Sequence, residues 1–109
     1  MKYQDIVAEL VNPSLPPGKL AEYKQLLAAH YAQLTELLTD IEISKPERWL
    51  KIRSQEGISS DKSADREWDM TEDGKSEIQI RNRLKAMDKL TSSISTRIRV
   101  AEGESRAQY

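Results

Sequence analysis

With 109 residues, no cysteine, one histidine and a formal net charge of −1, the chain excludes a disulfide scaffold, thiol catalysis and a Cys- or His-rich metal site. The near-neutral balance also excludes a gross attraction of the whole molecule to nucleic acid or anionic lipid. It holds one domain at most, and 32 % charged residues against 6 % aromatic ones suit long, solvent-washed helices better than a thick core.

Residues 1–12 read as a short amphipathic helix with Tyr3, Ile6, Val7 and Leu10 on one face. Residues 13–18, with Pro13, Pro16 and Pro17, form a stiff connector because each proline fixes φ and removes a donor. A first long arm is expected over 19–56 and a turn over 57–60, at Gly57-Ile58-Ser59-Ser60. A second arm follows over 61–103, capped by Ser59 or Ser60, and then a short polar tail over 104–109. Two interruptions are foreseen. Pro46 either restarts the first arm with Ser44 as N-cap or kinks one continuous helix, and a bend or break in the second arm is possible at Gly74.

The arms carry mirrored heptad stripes. One runs Leu20, Tyr23, Leu27, His30, Leu34, Leu37, Ile41; the other runs Ile80, Leu84, Met87, Thr91, Ile94, Ile98, Ala101. Folding at Ile58 sets Leu37 against Ile80, Leu34 against Leu84 and Tyr23 against Ile94. The two numbers in each facing pair total 117 or 118. Equal rise per residue makes that constancy the mark of an antiparallel pair, so the expected fold is all-α: a long, coiled-coil-like helical hairpin with a short N-terminal helix. Trp49 and Trp68 obey the same rule and are expected to meet in a distal tip. Leu26, Tyr31 and Leu38 flank the seam, more apolar surface than one partner arm covers. Self-association as a homodimer or higher oligomer is therefore expected.

Three groups of residues are candidates for chemistry. Trp49 and Trp68 with Arg48, Arg53 and Arg66 have the composition of a binding hot spot, although packing of the tip is the plainer reading. Segment 61–73 is acidic, with Asp65, Asp69 and Glu72 or Asp73 on one helical face. Such carboxylates can hold Mg²⁺ or Mn²⁺, but the other arm offers no matching pair, and a solvated acidic face is the plainer reading. Segment 81–99 is basic, with Arg81, Arg83, Lys85, Lys89, Arg97 and Arg99. It can track phosphates, or pair with Asp40 and Glu36 across the hairpin. His30 on the seam reads as a packed, hydrogen-bonded residue, with a pH-sensitive oligomer switch as the sharper alternative. No nucleophile, base and acid stand at a recognisable spacing, so neither catalysis nor a metal or cofactor is expected.

The run Ser-Asp-Lys-Ser-Ala-Asp-Arg-Glu-Trp-Asp-Met-Thr-Glu-Asp-Gly from Ser60, then Arg83-Leu-Lys-Ala-Met-Asp-Lys-Leu90, then Ser95-Thr-Arg-Ile-Arg-Val-Ala-Glu-Gly-Glu104, resembles small uncharacterised helical proteins of tailed bacteriophages and prophages. The resemblance implies a phage setting and a non-catalytic role. The expected function is a protein-binding adaptor or inhibitor acting as a helical oligomer through Trp49, Trp68, Arg48, Arg66, Asp65 and Asp69. The alternative is a nucleic-acid-binding accessory protein using the 81–99 face. No apolar run is long enough for a signal peptide or a bilayer span, so a cytoplasmic location without membrane contact is expected.

Overall fold

A computed structural model describes residues 1–107, with side chains described as far as Glu104; Tyr109 lies outside this range. Four helices and no strand make up the described residues: α1 (Tyr3–Glu9), α2 (Pro17–Arg53), α3 (Asp61–Met70) and α4 (Glu72–Ala107). The fold is all-α, and α2 and α4 are the arms of a helical hairpin. Their direction is readable from three ion pairs, Glu42–Arg81, Lys45–Glu77 and Arg48–Asp73, where each step forward on α2 meets a step back on α4. The chain divides into two compact units.

The first unit comprises residues 1–32 and the chain from Lys85 onward. Its interior is the predicted seam, with Leu20, Tyr23, Leu27, Met87 and Ile94 buried. Helix α1 folds back on its own unit, burying Ile6 completely. Arg97 holds the end of α1 by donating to the carbonyl oxygens of Leu10 (2.9 Å) and Asn12 (2.5 Å), groups a helix terminus leaves without partners. His30 lies half-buried with Nε2 2.9 Å from the Met1 carbonyl oxygen. A carbonyl only accepts, so Nε2 carries the proton. Helix α2 begins at Pro17, two residues before the expected start, because proline is preorganised for the first helical position.

The second unit, residues 33–84, is a three-helix packing of the C-terminal part of α2, α3 and the N-terminal part of α4. Leu38, Ile41, Trp68 and Ile80 form its core, and Leu34, Trp49, Ile52 and Leu84 pack against them. Leu34, Leu84 and the two tryptophans thus share one cluster, as the mirrored stripes require. Two details differ from expectation. Leu37 is 54 % exposed while its neighbour Leu38 is buried, because α3 draws the core around to the next position on α2. Leu38 therefore no longer contributes surplus surface. On α4, Ile78 is exposed.

At Pro46 the restart is excluded, and in the second arm the break falls three residues before Gly74. Helix α2 is continuous through Pro46, although an interior proline costs ~3 kcal/mol or more. Tertiary bonds pin both sides of it: Lys45 to Glu77, Arg48 to Asp73, and Trp49 Nε1 donating to Asp65 Oδ1 at 2.8 Å. Ser44 donates to the Ile41 carbonyl oxygen and caps nothing. The second arm breaks at Thr71, where the backbone turns extended. The Thr71 hydroxyl donates to the Trp68 carbonyl oxygen (2.6 Å) and accepts from the Gly74 amide (3.0 Å), closing α3 and opening α4 with one side chain. Gly74 is the consequence of this corner: a Cβ there would sit 1.8 Å from the Trp68 carbonyl oxygen. Gly57, at φ +86°, makes the turn after α2, and Ser60 caps α3 by accepting from the Ser63 amide. The stretch expected as a tail continues α4 through Ala107.

Candidate protein-binding face

The second unit is organised around Trp68, which is 1 % exposed. The periodicity of α3 turns Ala64 and Trp68 inward and leaves Asp61, Lys62, Asp65, Arg66, Glu67, Asp69 and Met70 outside. Lys45 Nζ and Arg48 Cζ lie over the indole at 5.5 Å and 5.2 Å from its centroid, where the negative face of the ring attracts cations. Glu77, 6 % exposed, completes the cluster. Its Oε1 accepts from Lys45 Nζ (3.0 Å) and, at long range, from Trp68 Nε1 (3.4 Å). Its Oε2 is buried without a hydrogen bond, 3.9 Å from Arg81 Nη2. The two cations offset the cost of burying this carboxylate, and the cluster fixes α2, α3 and α4 to one another.

This arrangement redistributes the candidate residues. Trp68 is an internal fastening, its indole inside the core, and Arg48, though half-exposed, is held by Asp73 and the ring. Trp49 is half-buried and tied to Asp65. With Lys45, Pro46 and Leu50 these two line an open groove of about 460 Å³. Arg66 and Asp69 remain exposed on α3, with no ion pair to the described residues, beside Met70 at 69 % exposure. Sequence reasoning missed Glu77, and it read Gly74 as a bend or break without the close approach to Trp68 that requires it. A glutamate among charges carries no mark of burial, whereas a glycine inside a helical pattern does mark close approach.

The basic candidates also divide. Arg81 bonds Glu42 at 2.6 Å, not Asp40 or Glu36, since the ion-pair register lies about a turn away from the mirror rule. Arg97 is spent on α1. Arg83 is half-buried and has its own interaction, whereas Lys85, Lys89 and Arg99 are exposed on α4. Among the described residues no three His, Asp or Glu side chains converge as a metal site. No helix among them is long and apolar enough to cross a membrane. Residues 33–84 carry nine Lys and Arg against twelve Asp and Glu, and the remainder carries eight against six, so the acidic excess lies wholly in the second unit. Comparisons with protein-family models, curated proteins and solved structures find no match.

Proposed function

We propose that this chain is a non-catalytic, self-associating adaptor or inhibitor that binds another protein through the outward face of α3, in a phage or prophage setting within the host cytoplasm. The observation that carries the reading is the pairing of Met70 with the uncommitted charges Arg66 and Asp69 on a helix whose inward side is anchored by Trp68. A flexible thioether beside charges on a preorganised helix gives an apolar anchor without an ordering cost, and the acidic excess steers it toward a basic partner surface. The phage setting rests on the texture of residues 60–109 alone.

The test is site-specific photo-crosslinking from positions 66 and 70, with position 89 as the comparison. The reading expects one protein adduct from the α3 positions, that from position 66 being lost in Met70→Glu. Adducts equally frequent from position 89 would overturn it. A second reading is nucleic-acid binding through Lys85, Lys89 and Arg99, which share one exposed strip of α4 with Ser92 and Thr96. Phosphate contacts strengthen as salt falls, so a gel shift at low salt that disappears in a Lys85→Glu, Lys89→Glu variant favours it; no shift rejects it.

A further inference from the structure

The strip of α2 that faces away from the core is self-complementary. Along it lie Thr39, Ile43, Pro46, Glu47, Leu50 and Ser54, all exposed, with Ile43 at 74 % and Leu50 at 59 %. At about 100° per residue these positions fall within one narrow stripe, and about 10.5 Å of rise separates Ile43 from Leu50. The stripe reads the same from either end: hydroxyl, aliphatic, centre, aliphatic, hydroxyl. Both hydroxyls are turned onto their own helix, Thr39 to the Thr35 carbonyl oxygen and Ser54 to that of Leu50, so the ends of the stripe demand no polar partner.

We infer that this stripe is the interface with a second copy of the chain, α2 against α2 in antiparallel sense about a two-fold axis between Pro46 and Glu47. It rests on the self-association in the reading above and names its surface. A two-fold perpendicular to the helix sets Ile43 of each copy against Leu50 of the other, so one contact is made twice. The same rotation brings like flanks together. Asp40 and Lys51 share a flank, and Lys51 of one copy stands within reach of Asp40 of the other. Asp40 makes no ion pair among the described residues, and Lys51 makes only an exposed i,i+4 contact with Glu47 at 3.9 Å. Ile43 and Leu50 supply the apolar contact on either side of the axis; at the axis the two Glu47 carboxylates approach each other, each 3.9 Å from Lys51 of its own copy, and the Lys51–Asp40 pairs of the same flank supply the opposite charges that offset this approach.

Because the chain has no cysteine, one introduced thiol reports the geometry directly. Glu47→Cys sits at the axis, so mild oxidation yields a covalent dimer, whereas Lys75→Cys on the exposed side of α4 stays monomeric. Sedimentation of the unmodified chain shows a dimer at tens of micromolar. Ile43→Glu and Leu50→Glu each weaken the dimer at least about 30-fold while retaining the helical circular dichroism of the parent. Lys51→Glu weakens it about two- to five-fold, and adding Asp40→Lys restores it. A dimer that survives both glutamates, or equal crosslinking from positions 47 and 75, overturns this interface while leaving self-association standing. A monomer at 100 µM overturns both.

Discussion

The two compact units solve the same problem, the thinness of a two-helix hairpin, by different means. The unit containing the chain's beginning covers its aliphatic seam with α1, a seven-residue helix tied down by one arginine and one histidine. The unit at the turn of the hairpin covers its seam with α3 and inserts a tryptophan, then closes around a carboxylate shared by two helices. The first cover is a short segment whose hold is Ile6 and a few hydrogen bonds. The second is joined to both arms by covalent turns only a few residues long. A third helix supplies the missing wall in either case, but among the described residues only the second unit places charge in its interior. That burial ties Lys45 and Arg81 to Glu77, while on the outward face of α3 Arg66 and Asp69 make no ion pair among the described residues.

The contrast can be broken hardest at the tryptophan. Trp68→Ala should cost about 3–5 kcal/mol, read as a lower midpoint in urea, with hydrogen exchange accelerating first in residues 33–84. Gly74→Ala should cost about 3 kcal/mol in the same unit, since the new methyl meets backbone and not a side chain that can swing away. Ile6→Ala, in the other unit, should cost about 2–3 kcal/mol and free the amides of α1 to exchange while those of α3 stay protected. Equal acceleration in both units would show that they do not unfold separately. Thr71→Ala should cost about 1 kcal/mol by uncapping α4. The smallest effect belongs to Lys19→Ala, whose exposed pair with Glu22 should be worth under about 0.5 kcal/mol.

Much of the fold was legible because helices announce themselves by period and punctuation. The seam residues of the first unit, the turn at Gly57, the cap at Ser60 and the shared cluster of Trp49 with Trp68 all follow from spacing and residue type. The exact register did not: Leu37 and Leu38 are adjacent leucines, and only the presence of α3 decides which faces inward. The candidate site fared less well. Tryptophan and arginine are the residues of hot spots and equally of buried fastenings, and composition does not distinguish the two. Of the six candidates, Arg66 and Asp69 stand clear on the surface, Asp65 holds Trp49, Arg48 is half-exposed but tied to Asp73, and Trp68 is internal.

The sequence by itself determined that the chain is helical, that it doubles back between residues 57 and 60, and which stripe lines the hairpin, because rise, periodicity and turn chemistry are local properties. Tertiary structure alone decided that α2 would continue through Pro46 and that the break would come at Thr71. It also decided that Glu77 and not Trp68's exposed neighbours would be buried. Each of those outcomes depends on bonds between residues far apart in the chain, and only the packed helices bring them within reach.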